Sequence, residues 1–192
     1  MRIVAGRFKG RTLAAPGDAA LRPTSDKVRQ AIFNIVEHAG FASNFTLEGA
    51  RVIDLFAGTG ALGLEALSRG AKFCLFVEEA AESRAIIREN VEALGLTGAS
   101  KIWRRDAARL GPLDTLGPFD LAFLDPPYRK GLIAPALQGL AAGGWLNADA
   151  LVMAELAEDE AMPVVAGYEM LDDRVYGDTR IAFMRAVTAP AA

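Results

Sequence analysis

Residues 52–67 read VIDLFAGTGALGLEAL, in which an apolar run is followed at once by a glycine-rich turn and a second apolar run. This order predicts a buried strand, a tight turn and a helix. Gly58 and Gly60 let the backbone approach a ligand closely, and a helix N-terminus presents free N–H groups. Because a strand-to-helix turn needs glycine for its geometry alone, the motif by itself is weak evidence for a nucleotide-type site.

The same alternation of apolar strands and amphipathic helices continues along the chain. It implies a parallel sheet covered on both faces. Residues 167–187 read as two strands around a tight turn at Gly177-Asp178, and such strands must be antiparallel neighbours. We therefore expect a three-layer, Rossmann-like α/β sheet that is mostly parallel and ends in an antiparallel hairpin. Predicted strands cover 51–57, 72–78, 101–106, 119–125 and 150–156, and predicted helices cover 61–70, 80–95 and 132–142.

The first 40 residues precede this alternation. Residues 1–16 alternate as a short β-hairpin would, and residues 21–40 predict a helix that Thr24 or Ser25 caps. The expected organisation is an N-terminal extension over 1–40 and an α/β domain over 41–192.

The net charge of −3 is unevenly distributed. Residues 1–30 hold seven basic and two acidic side chains, a net charge of +5, whereas the other 162 residues hold 14 basic and 22 acidic side chains, a net charge of −8. A basic segment on an acidic body is expected where one face meets phosphates. A charged N-terminus without a function is an equally open alternative.

Composition excludes several classes of protein. The chain has 192 residues, of which 52% are hydrophobic, so it can bury a full-sized core. One cysteine, Cys74, and one histidine, His38, exclude an internal disulfide and argue against a Cys/His metal site. The sequence shows neither a long apolar span nor a signal peptide, and we expect a cytoplasmic protein.

Acidic residues follow the predicted strands. Glu78 lies about 20 residues beyond the glycines, a position from which a carboxylate reaches ribose hydroxyls. Asp106 could accept a hydrogen bond from an adenine amino group. Asp54 would be unfavourable beside an anionic pyrophosphate, so a cationic ligand suits it better. GTGALG, residues 58–63, formally fits the dinucleotide motif, but no catalytic His or Tyr-x-x-x-Lys pair accompanies it.

Residues 123–131 read FLDPPYRKG and end a predicted strand. Two adjacent prolines cannot donate backbone hydrogen bonds, and they force the preceding residues into extended conformations. The carboxyl end of a strand is where open α/β sheets place their ligands. Asp125 and Tyr128 are therefore candidates for chemistry, and a stiff surface turn is the alternative.

Together these stretches resemble the class I S-adenosylmethionine-dependent methyltransferases. The resemblance rests on DLFAGTGALGLEALSRGA, the acid Glu78, the DPPY turn and the terminal hairpin. MRIVAGRFKGRTL, LRPTSDKVRQAIFNIV and DPPYRKG narrow it to the RsmD family, which methylates the exocyclic N2 of a guanine in 16S ribosomal RNA. Gln30 stands where we expect an acidic residue from that family.

The resemblance implies S-adenosylmethionine as cofactor, no metal, and 16S rRNA, within a small-subunit assembly particle, as partner. The implied cofactor-binding residues are Asp54, Phe56, Ala57, Gly58, Gly60, Glu78, Asp106 and Ala107. The implied catalytic residues are Asp125, Pro126, Pro127 and Tyr128. The implied RNA-binding residues are Arg2, Arg7, Lys9, Arg11, Arg22, Thr24, Lys27 and Arg29.

This chemistry has a physical reason to use an Asp-Pro-Pro-Tyr turn. The lone pair of guanine N2 is delocalised into the ring, so an enzyme must orient the amino group. Asp125 and the carbonyl of Pro126 can accept its two hydrogens while Tyr128 stacks on the base. Three alternatives stay open: another amino group, such as adenine N6 or a protein amide, a non-catalytic RNA-binding sensor of an adenosine ligand, and an NAD-dependent dehydrogenase.

Overall fold

The computed structural model describes residues 1–16, 25–42, 45–113 and 115–187. Its centre is a seven-stranded sheet with the order β3-β2-β1-β4-β5-β7-β6. The strands are β1 Arg51–Leu55, β2 Phe73–Val77, β3 Ser100–Trp103, β4 Phe119–Leu124, β5 Leu146–Ala157, β6 Tyr168–Tyr176 and β7 Thr179–Ala186. The α-helices are α1 Asp26–His38, α2 Ala61–Ser68, α3 Ala81–Ala93 and α4 Ile133–Ala142. Short 3₁₀ helices cover Gly40–Ala42, Thr97–Ala99 and Ala107–Arg109.

The sheet is mixed in the way that the sequence predicts. Strands β1 to β5 pair in parallel, whereas β7 is antiparallel to both β5 and β6. The chain runs from β1 outward to β3 on one side and then returns to β4 on the other side of β1. This reversal between β1 and β4 is a topological switch point, and ligands of open α/β sheets bind at its carboxyl edge.

Two buried apolar clusters cover the two faces of the sheet. Val52 and Phe123 point to one face, where they pack with residues of α1, α2 and α3. Ile53 and Leu124 point to the other face, where they pack with α4 and Trp145. The alternation along β1 and β4 therefore produces the three layers that the sequence predicts.

The N-terminal segment packs on the same core. Residues 1–13 form a hairpin with a single antiparallel bridge between Arg2 and Thr12, and Ile3 N–H donates to the Arg11 carbonyl at 2.9 Å. Ile3 and Leu13 are buried in the cluster that contains Val52. The division at residue 40 thus stays a prediction about function, because the core runs across it.

Helix α1 begins and ends close to its predicted positions. The Ser25 side chain accepts a hydrogen bond from Val28 N–H at 3.2 Å and caps the helix. Thr24, the other predicted cap, lies outside the described residues.

Two boundaries of the parallel strands differ from the prediction by three residues or more. Strand β3 ends at Trp103, because Asp106 caps a 3₁₀ helix instead of extending the strand. Strand β5 begins at Leu146, four residues early, and a bulge between Phe119 and Leu121 of β4 marks the irregular pairing. The Asn147 side chain donates to Asp120 at 2.6 Å and helps to hold this polar stretch against β4.

Candidate active site

The carboxyl ends of β1 and β4 bring the two sequence motifs together. Asp125 follows β4, and its backbone N–H donates to the carbonyl of Leu55, the last residue of β1, at 3.5 Å. The glycine turn begins at Phe56, directly after Leu55. The DPPY turn and the glycine turn are therefore neighbours at the switch point of the sheet.

The glycine turn contains three positive φ angles within five residues. Phe56 has φ 60°, Gly58 has φ 55° and Gly60 has φ 78°. A non-glycine residue in this region is strained, and such strain persists where the surrounding structure enforces it, often at ligand sites. A Cβ on Gly60 would lie 3.2 Å from the Phe76 ring, so this glycine also permits close packing of the turn on β2.

Asp54 lies beneath this turn and is fully buried. Its carboxylate accepts a hydrogen bond from Gly63 N–H in α2 at 2.9 Å. Burial is the main cause that raises the Asp54 pKa to about 8; the Gly63 hydrogen bond opposes the shift and the charge of Glu78 adds to it. A nearby positive charge favours the ionised form of a buried carboxyl. A cationic ligand would therefore stabilise Asp54 as a carboxylate.

Glu78 follows β2 and reaches back to the glycine turn. One carboxylate oxygen accepts from Gly58 N–H and the other from Ala80 N–H, each at 2.8 Å. Each carboxylate oxygen has a further acceptor site, so these bonds leave capacity for ribose hydroxyls. Asp106 accepts from Ala108 N–H at 2.9 Å as a helix cap, and whether it also meets an adenine stays a prediction.

The DPPY turn is held by its tyrosine. The Tyr128 hydroxyl donates to a carboxylate oxygen of Glu155 at 2.6 Å and lies 3.0 Å from the Thr179 hydroxyl. Burial and the bond to Glu155 raise the pKa of the Tyr128 phenol, so it stays protonated at neutral pH. Asp125 is half-buried, and both prolines line a cleft beside it.

The residue after the turn is tied to the loop that follows β5. Arg129 has φ 58°, and its N–H donates to Glu160 at 2.8 Å while its guanidinium pairs with Asp159 at 2.8 Å. The same Glu160 accepts from Ala157 N–H at 3.0 Å. These contacts join the DPPY turn to β5 and fix its position.

Comparison with known proteins agrees with this arrangement. Residues 1–185 match the family model described as Conserved hypothetical protein 95. The chain belongs to this family. It is the RsmD family to which the sequence motifs point, so the predicted resemblance is confirmed.

Named relatives extend over almost the whole chain. Ribosomal RNA small subunit methyltransferase D of Escherichia coli K12 is 34% identical over 92% of this chain and 85% of its own length. YlbH of Bacillus subtilis, a candidate rRNA methyltransferase, is 34% identical over 96% of this chain and 98% of its own. The solved structure of yhhF from Escherichia coli, a candidate methyltransferase, superposes with a TM-score of 0.81 at 29% identity, over 97% of this chain and 98% of its own. The predicted methyltransferase fold is confirmed.

Within this RsmD-family fold, most of the basic residues predicted to meet RNA are exposed. Arg2, Arg7, Lys9 and Arg11 lie on the N-terminal hairpin and Lys27 on α1, all with exposed side chains. Arg22 and Thr24 lie outside the described residues.

Arg29 is different, because the structure buries it and so contradicts the prediction that it is an RNA-binding residue near the pocket. Its side chain is 0% exposed and lies 2.7 Å from Asp26 and 3.6 Å from Glu65. The reason is helical periodicity, since Arg29 shares the buried face of α1 with Ile32 and Phe33. Its charge anchors the helix instead of meeting solvent.

Sequence reasoning missed the polar groups that dock the hairpin. Glu65 is buried in α2 and accepts from Val4 and Ala5 N–H, both at 2.8 Å, and from Arg69 Nε at 2.8 Å. A single acid within the apolar run ALGLEAL was the available signal. The Arg69 guanidinium also lies 3.4 Å from the Gln30 side chain, so Gln30 belongs to this structural network.

Asn90 of α3 is a second missed residue. Its side chain accepts from Ala14 N–H at 2.7 Å, and donates to the carbonyl of Ala14 at 3.1 Å and to that of Thr59 at 3.2 Å. It therefore connects the end of the hairpin with the glycine turn. No spacing rule in the sequence indicates this contact.

Glu155, the hydrogen-bond partner of Tyr128, is a third residue that sequence reasoning missed. It lies near the carboxyl end of β5 and is 4% exposed. The rule that singled out Glu78 and Asp125, an acid at the end of a strand, would have found it.

Two absences hold for the described residues only. In residues 1–16, 25–42, 45–113 and 115–187, no helix has the length and apolar character needed to cross a bilayer. The same ranges contain no group of three or more His, Cys, Asp or Glu side chains that could hold a metal ion.

Proposed function

We propose that this protein transfers the methyl group of S-adenosylmethionine to the exocyclic N2 of a guanine in 16S rRNA. The observation that carries the proposal is the contact between Asp125 N–H and the Leu55 carbonyl, which sets the DPPY turn beside the glycine turn. The family supports methylation of small-subunit rRNA, because relatives of this chain carry that name.

The residues around the glycine turn fit the cofactor. S-adenosylmethionine supplies a methyl group on a positively charged sulfonium, and the neutral thioether that remains after transfer is a good leaving group. Asp54, Phe56, Ala57, Gly58 and Gly60 would hold its amino-acid part, and the raised pKa of Asp54 suits a cationic ligand. Glu78 would accept from the ribose, with Asp106 and Ala107 beside the adenine.

The DPPY turn would orient the target amino group. Asp125 and the Pro126 carbonyl accept its two N–H hydrogens, which favours a pyramidal nitrogen with an available lone pair. The prolines keep these acceptors rigid, so little reorganisation is needed during transfer. Tyr128 stacks on the base, a contact worth about 1–3 kcal/mol for single-stranded nucleic acid.

The exposed hairpin cations would grip the surrounding RNA. The hairpin backbone docks on α2, the helix that follows the glycine turn. Its exposed cations are Arg2, Arg7, Lys9 and Arg11. Phosphate contacts of this kind supply affinity and position the substrate without reading its sequence. We propose that the substrate is 16S rRNA within a cytoplasmic small-subunit assembly particle.

Nucleoside analysis tests the proposal. The protein is incubated with methyl-labelled S-adenosylmethionine and small-subunit RNA, either free or as a protein-bound particle, and the RNA is digested. We expect labelled N2-methylguanosine, and none with the Asp125→Ala variant. Labelled N6-methyladenosine would reject the proposed substrate, and no labelled RNA in either form would reject the activity.

A further inference from the structure

A small cleft lies beside the DPPY turn. Its volume is about 130 Å³, and its lining includes Pro126, Pro127, Tyr128, Glu155 and the first residues of α4. Pockets for drug-sized ligands measure about 300–1,000 Å³, so this cleft suits a single planar ring system and not a whole nucleotide cofactor. Because the glycine turn holds the cofactor in the proposed function, the cleft is available for the target base.

One wall of the cleft carries a buried acceptor. Glu155 is 4% exposed, and its Oε1 receives the Tyr128 hydroxyl at 2.6 Å. A carboxylate offers about four lone-pair sites, so Glu155 can accept from a ligand in addition to the contacts that it makes within the protein. A carboxylate donates nothing when it is ionised.

Another part of the lining carries donors. Residues 132–134 line the cleft, and α4 begins at Ile133 without a side-chain cap among the described residues. The first N–H groups of an α-helix have no intrahelical acceptor, so those of Ile133 and Ala134 are potential donors to a ligand.

We propose that this cleft receives the target base and that Glu155 accepts the N1–H of guanine, which makes Glu155 a specificity-determining residue. The inference rests on the proposed function. Guanine presents N1–H next to its 2-amino group and an acceptor, O6, beyond it, which matches a carboxylate and helix N–H donors. Adenine presents an unprotonated N1 and an amino group in the reverse order, so a carboxylate repels its N1 lone pair.

The sharpest test exchanges the acceptor for a group that can also donate. Target oligonucleotides carry either guanine or 2-aminopurine, which keeps the 2-amino group but has an unprotonated N1. In Glu155→Gln the amide still accepts from Tyr128 and can donate to N1 of 2-aminopurine. We expect the ratio of kcat/KM for guanine over 2-aminopurine to fall by about 10- to 100-fold relative to wild type.

Two variants serve as matched controls. Thr179→Val removes the other contact of the Tyr128 hydroxyl and keeps the Glu155 carboxylate. Glu158→Gln removes one negative charge from an exposed side chain three residues away. Both should keep the wild-type ratio of the two bases. An equal loss on both bases in Glu155→Gln, or an unchanged ratio, would overturn the role of Glu155 in selecting guanine.

A second measurement uses wild-type protein only, so it does not depend on how Glu155→Gln folds. An oligonucleotide with 1-methylguanosine at the target position keeps the 2-amino group but lacks the N1–H donor. We expect its methylation to be at least about 10-fold slower than that of guanosine. Equal rates would reject the inference and leave the proposed function standing. No N2-methylguanosine from unmodified RNA would instead reject the proposed function, and the inference with it.

Discussion

Asp125 is the residue on which the catalytic interpretation depends. Asp125→Ala removes an acceptor for the amino group but keeps both prolines, so the turn should retain its shape. We expect kcat to fall by about 10²–10³, as on loss of one preorganised polar contact. Asp125→Asn keeps one carbonyl acceptor and should show a smaller defect. Calorimetry and thermal melting should show little change in S-adenosylmethionine affinity or Tm. A fully active Asp125→Ala protein would contradict the catalytic role and leave DPPY as a stiff turn.

Tyr128 has a second role that only its contacts reveal. Tyr128→Phe keeps the ring that stacks on the base, so substantial activity should remain. It also removes the donor that Glu155 receives at 2.6 Å, and a buried acceptor left short of a partner costs about 1–3 kcal/mol. We expect a lower Tm by calorimetric scanning, together with a largely retained kcat. An unchanged Tm would show that the hydroxyl contributes nothing to holding the turn.

Asp54 makes cofactor binding depend on pH. Its pKa is about 8 in the ligand-free protein, so below pH 8 it is mostly protonated, and binding a cation must release that proton. We expect S-adenosylmethionine affinity to rise as pH increases from 6.5 to about 8 and then to level off. Calorimetry should show proton release in wild type. Asp54→Asn serves as the control, and an equal pH slope in both proteins would assign the effect to another group.

The Asp54 carboxyl makes the stability of the fold decrease as pH rises, whereas it makes cofactor affinity increase. Its pKa is raised from 3.8 to about 8 in the folded chain, so its contribution to folding is complete below pH 3.8 and is lost as pH rises through about 8. Asp54→Asn cannot ionise, so its free energy of unfolding should fall less than that of wild type between pH 5 and about 9. Urea unfolding at several pH values measures the difference. Parallel pH profiles would contradict the elevated pKa.

At the scale of elements, Glu78 connects the end of β2 with the turn after β1. Glu78→Ala removes the acceptor of Gly58 N–H and the proposed acceptor of the ribose hydroxyls. We expect weaker S-adenosylmethionine binding in calorimetry, with the fold retained in circular dichroism. Glu79→Ala, which changes the adjacent exposed acid, is the matched control. Unchanged affinity in Glu78→Ala would mean that the strand-two acid has been assigned the wrong role.

For the whole molecule, the N-terminal hairpin should determine RNA affinity independently of the cofactor. Changing Arg7, Lys9 and Arg11 together to Ala should weaken RNA binding and flatten its salt dependence by about 0.7–0.9 in log–log slope per lost phosphate contact. Cofactor affinity should be unaffected. Lys72→Ala, which removes an exposed cation outside the hairpin and directly before β2, is the control. An unchanged salt slope in the triple variant would exclude phosphate contact by the hairpin.

The sequence by itself determined the order of elements and the two motifs of the candidate site. Gly58 and Gly60 after one apolar run, and two prolines after another, mark strand ends because their backbone restrictions are local. The tight turn at Gly177 likewise implied the antiparallel hairpin. These features depend on neighbours within a few residues, so a local sequence pattern is enough to predict them.

The tertiary structure alone decided which polar side chains are buried and what they contact. Arg29 and Arg7 look alike in the sequence, yet Arg29 lies on the buried face of α1 beside Glu65 and Arg7 is exposed. Tyr128 and Glu155 are 27 residues apart and meet because β4 and β5 are adjacent strands. Burial and pairing between distant residues depend on how the layers pack, and no local periodicity encodes that packing.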